Sequence, residues 1–153
     1  MKILVIVLLI IVSLVAAAFG FIYWQNSQTP ELGHTDGLLT PLSGNPNGVS
    51  TQTADEAALI LPWQFKADQA TTMQSIKDAL ADYDGAETEI VREDADYLRV
   101  VFVTPTMRFR DDAEFYLNAD TREVHFRSAS RAGKSDLGLN RQRYERLTEL
   151  YLR

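Results

Sequence analysis

From Ile3 to Trp24 the chain runs 22 residues without a charge, and Ser13 is the single polar side chain among them. Wound as a helix at about 1.5 Å per residue, this run is about 33 Å long, enough to cross a bilayer core of about 30 Å. Tyr23 and Trp24 close it where an interfacial aromatic belt would lie. Lys2 is the basic side chain at its start, and the next one is Lys66. The positive-inside rule then predicts a single-pass span of the cytoplasmic (inner) membrane, with the N-terminus cytoplasmic and the rest exported. Ala16-Ala17-Ala18 supports a rival reading, the small-residue cleavage site of a signal peptide. The apolar run continues through Phe19, Phe21, Ile22 and Tyr23, which favours an uncleaved anchor. No cysteine follows, so a lipoprotein signal is excluded.

The expected organisation is an anchor over 1–24, a Pro/Gly-rich linker over 25–52 and one globular domain over 53–153. Pro30, Pro41 and Pro46 with Gly33, Gly37, Gly44 and Gly48 mark the linker as extended or turning chain. About 100 residues suffice for one core without metal or disulfide support. The absence of cysteine removes bridges, thiolate nucleophiles and cysteine-type zinc sites together.

Periodicity predicts an α+β domain, an antiparallel sheet of four to five strands packed by two helices. Met73, Ile76, Leu80 and Tyr83 recur at helical spacing within 68–83. Tyr144, Leu147, Leu150 and Tyr151 do the same near the C-terminus, with Arg141, Arg143, Glu145, Arg146 and Glu149 placed outside that stripe. Residues 88–92 and 97–104 read as strands around an acidic turn, and Ala57 to Trp63 as an edge strand ended by Pro62. Residues 111–117 and 122–128 read as a hairpin across Asn118-Ala119-Asp120-Thr121. Phe115 opposite Phe126 sets Leu117 against Val124 and Ala113 against Ser128 on the core face. The other face then pairs Glu114 with Arg127 and Tyr116 with His125, because a slip of one residue would split the two phenylalanines between faces. The predicted core is Leu98, Val100, Phe102, Phe115, Val124 and Phe126 against Met73, Ile76, Leu80, Leu147 and Leu150.

The net charge of −6 argues against a nucleic-acid partner. Its distribution says more. Residues 25–107 carry 13 acidic and 4 basic side chains, whereas 108–143 carry 6 acidic and 8 basic. A locally basic segment in an acidic chain marks either a confined anion site or an internal ion-pair network. Arg108, Arg110, Asp112, Glu114 and Arg127 are expected on one sheet face, with Asp111 on the opposite parity, buried or capping a turn. Beyond them Ser130, Arg131, Lys134, Asp136, Asn140 and Arg141 form a polar loop leading into the last helix. Gly133 and Gly138 lend that loop its backbone freedom, and Asn140 is expected to cap the helix. Free amides at a helix start, reinforced by Arg131, Lys134 and Arg141, suit an anion.

Catalytic and metal motifs fail on inspection. Gly133-Lys134-Ser135 has the tail of a phosphate loop, but the earlier glycine would fall at Ser128. His125 and Ser128 lie on opposite faces, which removes a serine triad. His34 sits in the linker, so the two histidines make no metal site, and no cofactor motif is present. Asp111, Asp112 or Glu114 as a general acid or base would need a raised pKa, and the neighbouring arginines are expected to lower it.

Three stretches carry a resemblance: Tyr97-Leu98-Arg99; Arg108 through Tyr116; and Arg127-Ser128-Ala129-Ser130-Arg131-Ala132-Gly133-Lys134-Ser135-Asp136-Leu137-Gly138-Leu139-Asn140-Arg141. Together they resemble the domain of unknown function 1499 family, over roughly residues 42–152. The resemblance implies a small exported or membrane-anchored envelope protein and no established activity. Members often carry a cysteine near the domain start, where this chain has Gly48, so thiol chemistry is excluded here. Three readings remain: a tethered module binding an anionic small molecule, lipid head group or glycan; an assembly protein with an envelope protein partner; and an acid/base enzyme.

Overall fold

The computed structural model describes residues 2–153. Helix α1 (Lys2–Ser27) is the apolar run, 26 residues that include an 18-residue stretch of mean hydropathy 3.2 with no burial against the domain. It is long and apolar enough to cross a membrane.

The chain then lays down β1 (His34–Thr35), β2 (Leu38–Leu39), β3 (Gly48–Ser50) and β4 (Trp63–Gln64) before α2 (Gln69–Ala81). Strands β5 (Glu87–Glu93), β6 (Tyr97–Val103), β7 (Arg110–Asn118) and β8 (Glu123–Ser130) form a meander, and α3 (Leu139–Tyr151) closes the domain. The main sheet has six strands in the order β3-β8-β7-β6-β5, with β4 pairing further along the same β8 edge. All its pairings between strands are antiparallel. The fold is α+β as expected, with one strand more than the upper expectation. The extra strand comes from the presumed linker. β3 pairs Gly48 with Ala129 and Ser50 with Arg127, and Asn47 and Val49 are buried. Residues 34–50 therefore belong to the folded unit. Proline and glycine mark turns between short strands there, not a free tether. The expected strand over 57–63 shrinks to Trp63–Gln64 plus a single bridge from Leu59 to Ser50, because Pro62 supplies no ladder donor.

The hairpin register agrees with expectation at every pair: Phe115 with Phe126, Glu114 with Arg127, Tyr116 with His125, Leu117 with Val124. Alternation sends Leu98, Val100, Phe102, Ala113, Phe115, Val124 and Phe126 toward the helices, where Met73, Ile76, Leu80, Leu147 and Leu150 meet them. Every residue of the predicted core is in this cluster. Trp63 anchors its centre, stacking on Tyr151 at 4.6 Å between ring centroids and donating its indole N–H to Thr148 at 2.8 Å. A side chain of this size in a packed core contributes about 3–5 kcal/mol when truncated to alanine.

Candidate functional site

β7 sorts the polar residues by parity. Asp111 points with the core toward the helices, and Arg110, Asp112, Glu114 and Tyr116 point to the opposite, open face. Two polar systems result, one on each side of the sheet.

On the helix side, Arg143 is 1% exposed and donates to Asp111 at 2.6 Å and to the Asn140 side-chain oxygen at 2.7 Å. The same oxygen accepts from Ser128. The Asn140 amide nitrogen donates to the Asn47 carbonyl at 3.1 Å, to Ser130 Oγ at 3.2 Å and to Asp136 at 2.8 Å. Asn140 thus ties α3, β8, the 131–138 loop and the chain entering β3 into one clasp. Two expectations are corrected. Arg143 is not outside the α3 stripe: it lies four residues before Leu147 and shares its face. Asn140 does not cap α3 either; Gly138 holds the cap position in a left-handed conformation (φ 82°) and Asp136 accepts from the Asn140 amide at 2.8 Å. The chain's own Asp136 carboxylate therefore occupies the helix start, accepting from the Gly138 and Asn140 amides in the place an outside anion would take.

On the open face, Asp112 is 1% exposed and is gripped twice. Arg99 donates to it at 2.7 Å, and Arg131 donates through Nε at 2.6 Å and through a terminal nitrogen at 3.0 Å. Glu114, fully buried, accepts from the Tyr97 hydroxyl at 2.7 Å and faces Arg127 at 3.4 Å. Burial pushes the Glu114 pKa up, outweighing the Tyr97 hydrogen bond and the charges of Arg127 and Arg99. Here the expectation that arginines would lower the carboxyl pKa fails, because desolvation is the larger effect. Burial likewise pulls Arg127 down and pushes Tyr97 up. The raised pKa does not make Glu114 a general acid, since it has no exposed surface for a substrate to reach.

A cleft of about 670 Å³ opens over this face, lined by Arg92, Arg99, Arg110 and Arg131 with Glu89 as its one carboxylate. A second cavity of about 300 Å³ adjoins it and shares Thr29 and Arg131, with Arg127, Asp112 and Asn47 in its wall. Arg92 pairs with exposed Asp94 at 2.7 Å. Among the described residues Arg110 has no carboxylate partner. The wall opposite the sheet is the end of α1. Asn26, 3% exposed, donates to the Arg108 carbonyl at 3.0 Å and accepts from the Arg110 amide at 2.7 Å. Tyr23 donates to the Met107 carbonyl at 3.2 Å and packs on Phe109.

The residues singled out in the sequence therefore scatter over five places. Arg110, Asp112, Glu114, Arg127 and Arg131 share the open face. Ser130, Asp136 and Asn140 join the clasp with Asp111. Arg108 departs from the expected face: it sits in the β6–β7 turn with φ 54° and pairs with Glu87 at 2.6 Å. Arg141 donates to the Ala57 and Leu59 carbonyls at 2.8 and 3.1 Å, bracing the chain before β4, and Lys134 is exposed on the loop. Sequence reasoning missed Arg99 and Asn26. Arg99 was detectable, since it alternates with Leu98 and Val100 and so must face away from the core; it stands opposite Glu114. Asn26, just past the apolar run, gave no such signal.

Fold and site together define a class: a small α+β domain docked against the end of one long apolar helix, with an arginine-lined cleft at the junction. The family model described as protein of unknown function (DUF1499) matches residues 38–150, most of the chain and nearly all of the folded domain. The chain belongs to this family. No curated protein and no solved structure is significantly similar to it.

Proposed function

We propose that this protein is a membrane-tethered binding module whose open sheet face holds an anionic ligand. One observation carries the reading: Arg110 lines the cleft beside Arg99 and Arg131, and no carboxylate among the described residues pairs with it. Arg99 and Arg131 share the single charge of Asp112, which leaves the wall positive. Buried donors Arg99 Nε and Arg127 Nε have no acceptor among the described residues, and an unmade bond of this kind costs about 1–3 kcal/mol. In this reading α1 spans the cytoplasmic membrane once, Lys2 holds the N-terminus inside, and the domain works in the cell envelope.

The test is a thermal-shift series on the full chain in detergent, with phosphate esters, sulfated sugars, carboxylated sugars and divalent metals added separately. A melting point raised by one anion class in wild type and unmoved in Arg110→Ala supports the reading. Equal melting points across the series contradict it. They would favour the second reading, an assembly protein whose open face is an ion-pair network, which the double grip on Asp112 supports.

A further inference from the structure

Resting on that reading, we infer that the anion is the phosphate of an anionic phospholipid from the same bilayer that α1 crosses. The height of the cleft above the bilayer core decides the source. Ile3 to Tyr23 accounts for a core of about 30 Å, so Tyr23 and Trp24 stand at the head-group boundary. Ser27 follows Trp24 by three residues, about 4.5 Å further along the axis. The polar layer of a bilayer leaflet is about 5–8 Å deep. Ser27 and Thr29 line the same cleft as Arg92, Arg99, Arg110 and Arg131. The arginines therefore open at the level of the lipid phosphates.

The domain cannot swing freely away from this position. Asn26 is bonded to both sides of the Arg108–Arg110 backbone, and Tyr23 holds the Met107 carbonyl. These contacts bring the β6–β7 turn down to the same boundary, and Met107 is exposed there as an apolar foot. A soluble anion would need no such docking, because a cleft on a free tether would serve it equally. The charge pattern also selects. Against the four arginines stand three carboxylates: Glu89, exposed in the cleft wall, Asp94, which pairs with Arg92, and Asp112, buried between Arg99 and Arg131. The net positive wall suits a phosphodiester without its own cation, since a choline or ethanolamine would bring a positive charge to guanidinium groups.

The experiment uses the full chain in nanodiscs, one set of phosphatidylcholine alone and one with phosphatidylglycerol mixed in. The domain's melting point is followed by tryptophan fluorescence, for wild type and for Arg110→Ala. Arg110 has no ion-pair partner among the described residues, so the variant is expected to fold; Arg92→Ala, removing an exposed pair, is the second variant. The inference predicts a melting point at least about 4 °C higher in the phosphatidylglycerol discs, and a difference cut to less than half in either variant. A difference that survives both variants reports general attraction to the charged surface and overturns the inference. No difference between discs, with a rise on adding glycerol phosphate to the neutral discs that Arg110→Ala removes, overturns the lipid assignment and leaves the binding module standing. Silence in both arms overturns both.

Discussion

Arg143 and Arg110 share a side chain and differ in what surrounds it. Arg143 is buried between Asp111 and Asn140, and its removal strands a carboxylate in the core. Arg143→Ala should lose about 3–5 kcal/mol in urea unfolding, whereas a jointly apolar replacement of Arg143 and Asp111 should recover most of it. A loss below about 1 kcal/mol for the single change would mean that water reaches Asp111. His125 offers a pH test. Burial pulls its pKa down against the opposing charge of Glu123. The unfolded chain takes up a proton near pH 6.5 before the folded one does. Stability linked to the neutral ring is therefore full above about pH 6.5 and drains as pH falls toward the folded value. Glu114 works in the opposite sense. Its raised pKa favours the folded state at low pH, and that advantage is lost as pH rises from its ordinary value of 4.5. His125→Gln should flatten the fall in unfolding free energy between pH 7 and 5; an unchanged slope would contradict the assigned direction.

The elements around β8 depend on close backbone approach. A Cβ at Gly48 would lie 2.7 Å from the Ser128 carbonyl oxygen and 2.9 Å from the Ala129 methyl. Both neighbours belong to the sheet and cannot rotate away. Gly48→Cys should therefore cost about 1–3 kcal/mol, read by thermal melting. A neutral result would show that β3 can shift. Legibility divides at this scale. The meander, the hairpin register and the core could be read from alternation, because one face is buried and a slip is ruled out there. The short strands along β8 could not. β3 and β4 are three and two residues long, too short for a period to register, and owe their place to Asn140, Trp63 and the β8 edge. The helix start misled for a related reason. Asn140 suits a cap by residue type, but its side chain is drawn to Asn47, remote in sequence, and Gly138 holds the cap position.

In the whole molecule the motif from Arg127 to Arg143 serves two jobs that sequence adjacency hides. Ser128, Asp136, Asn140 and Arg143 hold α3 to the sheet, while Arg127 and Arg131 cross to the open face. Asn26 then joins anchor and domain. Asn26→Ala should loosen that joint, raising protease sensitivity near residues 25–33 of the full chain while the core melts within a few degrees of wild type. Unchanged cleavage would mean that α1 is held by other contacts. The most direct measurement compares Arg110→Ala with Arg143→Ala in the full chain, recording urea stability and the anion-induced melting shift for each. Arg110→Ala should stay within about 0.5 kcal/mol of wild type and lose the shift, and Arg143→Ala should lose about 3–5 kcal/mol. An Arg110→Ala protein that keeps the shift, or is destabilised as deeply as Arg143→Ala, would contradict the division of labour between the two faces.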